Sequence, residues 1–261
     1  MKKWVLAAII LTMLLSIAGC GDSKTSSSKG EEKKIIKVGT NPDFAPFEFL
    51  DSNGKMAGFD LDLIHAIGKK IGKEIKMENI AFDGLIPALQ TGNMDLAIAG
   101  MAITPARQEV VLFSEPYYHS GLTILVRKDG ANIAGIKDLE GKKVAVQMGT
   151  TASVMAKGIP GAVVKEFNTS ADAFLELKNG GSDAVINHLP VVKYYLKSNG
   201  GPDSPFKIVG EPLTNAPDAI AAKKDNQKLI AEVNKALLEM KANGEYDALY
   251  EKWFGEKPPK Q

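Results

Sequence analysis

Cysteine is almost absent. The 261-residue chain has one, Cys20, so no intramolecular disulfide can form and stability must come from an ordinary packed core. Histidine is nearly as scarce. Its three copies, His65, His119 and His188, match no zinc-ligand spacing, which argues against a metal centre. Neither sign of charge is in excess, since 32 Lys and Arg against 31 Asp and Glu leave a formal net charge of +1. With no basic stripe, nucleic acid is not an expected partner. Beyond the first twenty residues no apolar run is long enough to cross a bilayer. No repeat of solenoid period is present either.

The ends of the chain are distinctive. Met1, Lys2 and Lys3 precede an apolar stretch from Val5 to Ile17, and the small residues Ala18 and Gly19 come before Cys20. This resembles a bacterial lipoprotein signal peptide over residues 1–19. The resemblance implies cleavage before Cys20, acylation of its thiol and anchorage outside the cytoplasm, on the cell membrane. Residues 20–34 (CGDSKTSSSKGEEKK) hold no large apolar side chain and read as a flexible tether for a globular body.

From Ile35 onward short apolar strands alternate with amphipathic helices, the pattern of an α/β protein with parallel or mixed sheets. Strands are expected at 35–39, 74–80, 96–99, 143–147, 162–167, 184–187 and 220–222. Helices are expected at 60–71, 83–90, from Thr169 or Ser170 to 177, from Pro190, and at 226–243. A last short helix carries Tyr246, Leu249, Tyr250, Trp253 and Phe254, a stripe expected to dock on the core. Extended segments near 117–126 and 213–219 are candidates for two crossovers between two similar bodies. That divides the chain into one lobe of residues 35–120 and 215–261, and a second of 121–214. Two crossovers favour a hinge, and a cleft between lobes commonly holds a small ligand.

The run DLAIAGMAITPAR (95–107) is the most informative. A buried strand ends at Gly100, Thr104 can cap the following helix and Pro105 suits its first turn, so free backbone N–H groups would face whatever lies beyond the strand. Arg107 adds a planar fork matched to a carboxylate.

Thr40–Phe49 (TNPDFAPFEF), GFDLDL from Gly58, the 95–107 run, LVRK, DLEGKKVAVQMGTT, SDAVIN and the closing NGEYDALYEKWFG resemble the amino-acid-binding proteins of bacterial ABC importers, the glutamine- and histidine-binding group. The resemblance spans almost the whole body. It implies a type II periplasmic-binding-protein fold, two lobes closing on a ligand, a monomer that hands its ligand to a membrane permease, and no cofactor. Carried over residue by residue, it implies that Arg107 binds an α-carboxylate, aided by backbone near Ala102 and by Thr150 and Thr151 of the other lobe. Phe44 and Phe82 stand as aromatic walls, Gly100 as a carbonyl acceptor, and Gln147 and Asn41 beside the ligand's side chain.

Three positions depart from that pattern. Ala102 and His188 stand where relatives carry a hydroxyl and a carboxylate for the ligand's ammonium, and Asn41 stands where many carry Asp, with Asp43 the nearest acid. A neutral imidazole at His188 accepts one hydrogen bond, whereas protonation near pH 6–7 would oppose an ammonium. Asp218 is the alternative acid if His188 turns away. Because Asn41 supplies no charge, an uncharged amino acid is expected over lysine or arginine. The leading reading is a binding protein rather than an enzyme. A cyclohexadienyl-dehydratase-like enzyme and a sensory binding protein are the alternatives on the same scaffold.

Overall fold

The structure is a computed structural model that describes residues 35–259. The expected signal peptide (1–19), the lipidation site Cys20 and the tether (20–34) lie outside the described residues. The chain opens with β1 (Ile35–Thr40), a small meander of β2 (Asp43–Phe44), β3 (Glu48–Leu50) and β4 (Met56–Ala57), then α1 (Phe59–Lys70), β5 (Glu74–Asn79), α2 (Phe82–Gln90), β6 (Leu96–Ala97), the one-turn α3 (Pro105–Gln108) and β7 (Val111–Phe113). It continues through β8 (Tyr118–Ser120), β9 (Leu122–Arg127), β10 (Lys143–Gln147), α4 (Thr151–Lys157), β11 (Val163–Phe167), α5 (Ser170–Lys178), β12 (Ala184–His188), α6 (Leu189–Ser198) and β13 (Phe206–Val209). It closes with β14 (Ala216–Asp218), β15 (Ala221–Lys223), α7 (Gln227–Asn243) and α8 (Glu245–Phe254).

Two five-stranded sheets organise these elements, in the orders β5-β1-β6-β15-β7 and β11-β10-β12-β9-β13. Each is covered on both faces, which is why its strands read as continuous apolar runs. In the second sheet Val144 and Val146 pack with Ile124 and Ile186 toward α4, while Ala145, Leu125 and Val185 face Phe174, Leu177, Val191 and Val192 of α5 and α6. In the first, Val38, Leu96 and Ala222 face α1 and α7, and Ala97 and Ala221 pack on Leu85 and Leu89 of α2. The period of two along each strand sends alternate side chains to different helices.

Both sheets are mixed. β1 runs parallel to β5 and β6, and β10 runs parallel to β11 and β12. β15 runs antiparallel to β6 and β7, and β9 runs antiparallel to β12 and β13. β9 and β15 are the strands that enter a sheet straight from the other lobe, with no helical crossover to reverse their direction. The extended segment at 117–126 is therefore two things. Tyr118–Ser120 pairs with Ala216–Asp218 as an antiparallel two-stranded connection, and Leu122–Arg127 is an interior strand of the second sheet. The 43–57 meander, β7 and β13 were not legible beforehand, since strands of two to four residues are too short to display alternation.

The C-terminal aromatic stripe packs inward. Phe254 lies 5.2 Å from Phe59 and 5.4 Å from Phe47, centroid to centroid, and Tyr246 and Tyr250 each contact Phe59 at about 6 Å. This seats α8 against α1 and the meander. Residues after the second connection thus complete the first sheet and its helix layer.

Candidate functional site

The turn after β6 does what its residues dictate. Gly100 sits at φ +51°, and a Cβ there would come 2.9 Å from the Phe44 ring. Only glycine lets the backbone pass so close to that wall. The Gly100 N–H donates to Asp60 Oδ2 at 2.9 Å, and the same oxygen accepts from the Tyr117 hydroxyl at 2.8 Å. Thr104 Oγ1 caps α3 by accepting from the Arg107 N–H at 3.3 Å, with Pro105 in the first turn.

The Arg107 guanidinium then leans across the interlobe gap. Nη1 donates to the Ala102 carbonyl at 2.7 Å and Nη2 to the Gly149 carbonyl of the second lobe at 3.1 Å, with Cζ 5.3 Å above the Phe82 ring. Burial pulls its pKa down to about 10, opposed by the charge of Asp218, so it remains a cation at neutral pH.

The facing wall is a hydrogen-bonded lattice at the ends of β10 and β12. Gln147 Nε2 donates to Asn41 Oδ1 of the first lobe at 2.7 Å and to the Asn168 carbonyl at 3.1 Å, while Gln147 Oε1 accepts from Ser170 Oγ at 2.9 Å. Asn187 Nδ2 donates to Ser170 Oγ at 3.1 Å. The Thr150 hydroxyl caps α4, accepting from the Ser153 N–H and donating to the Gln147 carbonyl. It is committed to the fold, so what this turn offers a ligand is the Thr151 neighbourhood and backbone. Gly149, at φ +75°, lets the turn approach the first lobe, since a Cβ there would sit 2.8 Å from Asp83 Cβ.

In and behind the cleft lies a set of buried acids. Glu48, Asp60 and Asp218 are each 1 % exposed or less. Burial pushes Glu48 and Asp218 well above the usual carboxylate range, each raised further by Asp60, and raises Asp60 to about 6. Asp43 rises to about 7, chiefly by burial, although its Oδ2 accepts from the Ser170 N–H at the start of α5 at 3.1 Å.

His188 ends β12 and lies edge-on to Phe44, with centroids 5.2 Å apart. Burial, then the Arg107 charge, lowers its pKa to about 4. The ring is therefore neutral at pH 7. Protonation near pH 6–7, expected from the sequence, is displaced because a charged imidazole here would lose its hydration beside a fixed guanidinium.

One cleft collects every residue expected at the site: Asn41, Phe44, Phe82, Gly100, Ala102, Arg107, Gln147, Thr150, Thr151 and His188 all line it. His188 does not turn away. Asp43, Glu48 and Asn187 line it too. In the sequence Asp43 is only the acid nearest Asn41. Glu48 carries no signal there, because Phe47 and Glu48 are both buried and no alternation marks the acid as inward-facing. Among the described residues no group of histidine, cysteine and acids is arranged to hold a metal ion, and no helix is long and apolar enough to cross a membrane.

Two lobes joined by a paired-strand connection, with an arginine spanning the gap between them, define a two-lobed ligand-binding protein. Residues 36–256 match the family described as bacterial extracellular solute-binding proteins, family 3, and the chain belongs to it. The arginine-binding extracellular protein ArtP of Bacillus subtilis is 37% identical over 98% of this chain and all of its own length. Among solved structures, an ancestral arginine-binding protein bound to arginine is 46% identical with a TM-score of 0.81, covering 85% of this chain and 98% of that one. An ancestral amino-acid-binding protein described as a precursor of cyclohexadienyl dehydratase is 43% identical with a TM-score of 0.78, covering 84% and 95%.

Proposed function

We propose that this chain captures a free amino acid, or a closely related small carboxylate, between its lobes and presents the closed form to the permease of an ABC importer. The observation that carries the reading is Arg107. A cation from the first lobe reaches a backbone carbonyl of the second, at the mouth of a cleft lined from both sides by the residues expected to bind ligand. A carboxylate offers that guanidinium stronger, charge-assisted hydrogen bonds than a peptide carbonyl does, and the α4 turn faces the same place. A ligand gripped from both sides stabilises the closed arrangement by its differential contacts, which is what a permease can recognise.

The lobes are read as residues 35–120 with 215–261, and 121–214, in keeping with the membership of the two sheets. The body is read as a monomer carried outside the cell membrane by a lipid on Cys20. Its expected role is binding, without turnover. The expectation of an uncharged ligand side chain rested on Asn41 alone. With Asp43 and Glu48 in the lining, a side chain rich in donors, such as an amide, imidazole or guanidinium, has acceptors to meet.

Calorimetry with the common L-amino acids and simple carboxylates tests the reading. Stoichiometric heat from at least one at micromolar concentration is expected, and silence from all of them at millimolar concentration overturns it. One observation favours a second reading: Glu48, an acid held protonated by burial, lines the cleft and could serve as a general acid. Product formation from prephenate or arogenate would establish that enzyme reading.

A further inference from the structure

Asp218 is the most exacting residue of the molecule. It is fully buried, and neither carboxyl oxygen has a hydrogen-bond partner. Its strand, β14, belongs to the connection between the lobes, and an isolated antiparallel bridge sets it opposite Ala102. Its Oδ2 lies 3.8 Å from Nδ1 of His188, which is also buried without a partner. Buried polar atoms are nearly always paired, so an unpartnered carboxyl facing an unpartnered ring nitrogen calls for a partner.

The ligand geometry supplies the reason. In a free amino acid the nitrogen is one carbon away from the carboxylate, so a carboxylate held by Arg107 keeps the nitrogen inside the cleft that Gly100, Ala102 and His188 also line. Ala102 brings no side-chain acceptor, and its carbonyl already accepts from Arg107. His188 lines the same cleft as a neutral ring, and a neutral imidazole has one donor and one acceptor nitrogen; which is which depends on the partner it finds.

We propose that Asp218 fixes His188 from behind, taking a hydrogen bond from Nδ1–H, so that Nε2 presents its lone pair to the ligand's α-nitrogen and the pair makes the site selective for α-amino acids. This rests on the amino-acid reading above and names the specificity device within it. Asp218 is a positioning residue: it does not line the cleft and acts through the ring that does. Closing 3.8 Å to hydrogen-bond length takes a ring shift of about 1 Å, within reach of a side chain at a strand end. The other ionisable groups around Asp218 are Arg107 from α3, Asp60 from α1, Glu48 from β3, and Tyr117 and Tyr118 at the start of the connection. Arg107 is the one cation among them; burial holds Asp218 protonated in the empty cleft, and an ammonium arriving beside it favours the ionised form that accepts from the ring.

The test compares L-arginine and L-glutamine with their α-deamino counterparts, which keep the carboxylate and lose only the nitrogen. The unaltered protein should prefer the amino form by about 30-fold or more, the scale of a buried hydrogen bond made by a charged donor. Asp218→Asn should cut that preference by about ten-fold or more while leaving the deamino affinities within about two-fold. Adding His188→Asp to Asp218→Asn, which puts a carboxylate directly at the wall, should restore the preference. Nitrogen-15 NMR of the ligand-bound, unaltered protein should show His188 as the Nδ1–H tautomer, a readout independent of any variant's folding. An unchanged preference in Asp218→Asn, or the Nε2–H tautomer in the bound protein, overturns the proposal. Equal binding of amino and deamino forms by the unaltered protein also overturns it but spares the carboxylate reading, whereas no binding of either form defeats the reading itself.

Discussion

Gln147 Nε2 donates to Asn41 Oδ1 across 2.7 Å, joining the end of a strand in one sheet to the residue that follows a strand in the other. The bond is buried, and both amides lie at the cleft, so it is part of what holds the lobes shut. Replacing Gln147 by Ala leaves Asn41 and Ser170 short of a partner. Affinity for the bound amino acid should fall by about 5- to 30-fold, the scale of ~1–2 kcal/mol for a buried hydrogen bond. A double-mutant cycle with Asn41→Ala, read by calorimetry, should give a coupling near 1 kcal/mol. Additive losses would place the two residues outside the closure contact.

Arg107→Ala should weaken capture by ~2–5 kcal/mol, about 30-fold to several-thousand-fold, because a charged partner is removed while the ligand's carboxylate stays buried. Thermal melting without ligand should change little, since the guanidinium spans the gap rather than the core. Equal affinity in the variant would remove the foundation of the functional reading.

Gly149→Ala should hinder closure without unfolding either lobe. The substitution forces a side chain into the left-handed region and sets its Cβ 2.8 Å from Asp83 Cβ in the other lobe. Gly92→Ala is the matched control, with a similar φ of +76° and no atom within 4 Å of the added carbon. Both should lose a comparable ~1–2 kcal/mol of stability from backbone strain. Only Gly149→Ala should also lower ligand affinity, by about ten-fold or more, and enlarge the ligand-saturated radius of gyration in solution scattering.

Stability should fall as the solution is made more alkaline. Asp43, held at about 7, and Asp60, at about 6, bind protons more tightly folded than unfolded, as do Glu48 and Asp218. Their contribution is full below the unfolded carboxylate values and is lost as pH rises through the folded ones. His188 works the other way, since its folded value of about 4 lies under the unfolded 6.5, but that opposition acts only on the acid side of 6.5. Between about pH 6.5 and 8 the acids therefore dominate, with a slope of up to ~1.4 kcal/mol per pH unit for each proton released. Melting temperatures across that interval should decline with pH, and Asp218→Asn should flatten the decline. A flat or rising profile would show the acids to be ionised in the folded protein throughout.

Much of this protein follows from its sequence alone. The apolar runs of β1, β10 and β12 announce strands covered on both faces, and Thr104, Pro105 and Arg107 specify a capped turn with a cation at its edge. Such features are local. Side-chain period, capping and glycine turns act over a few residues, so a short window contains their whole cause. The lining residues were legible for a different reason, through motifs shared with a known group of binding proteins.

Tertiary structure alone decided which charges exist. Glu48, Asp43 and Asp218 are ordinary acids in the sequence, and it is burial first, with neighbouring acids adding to it, that raises their pKa values. His188 has the composition of a pH switch, and its burial beside Arg107 keeps it neutral. Desolvation and long-range Coulomb forces depend on what lies within a few ångströms in space. Residues 48, 188 and 218 become neighbours only when chain segments far apart in sequence meet at the connection between the lobes.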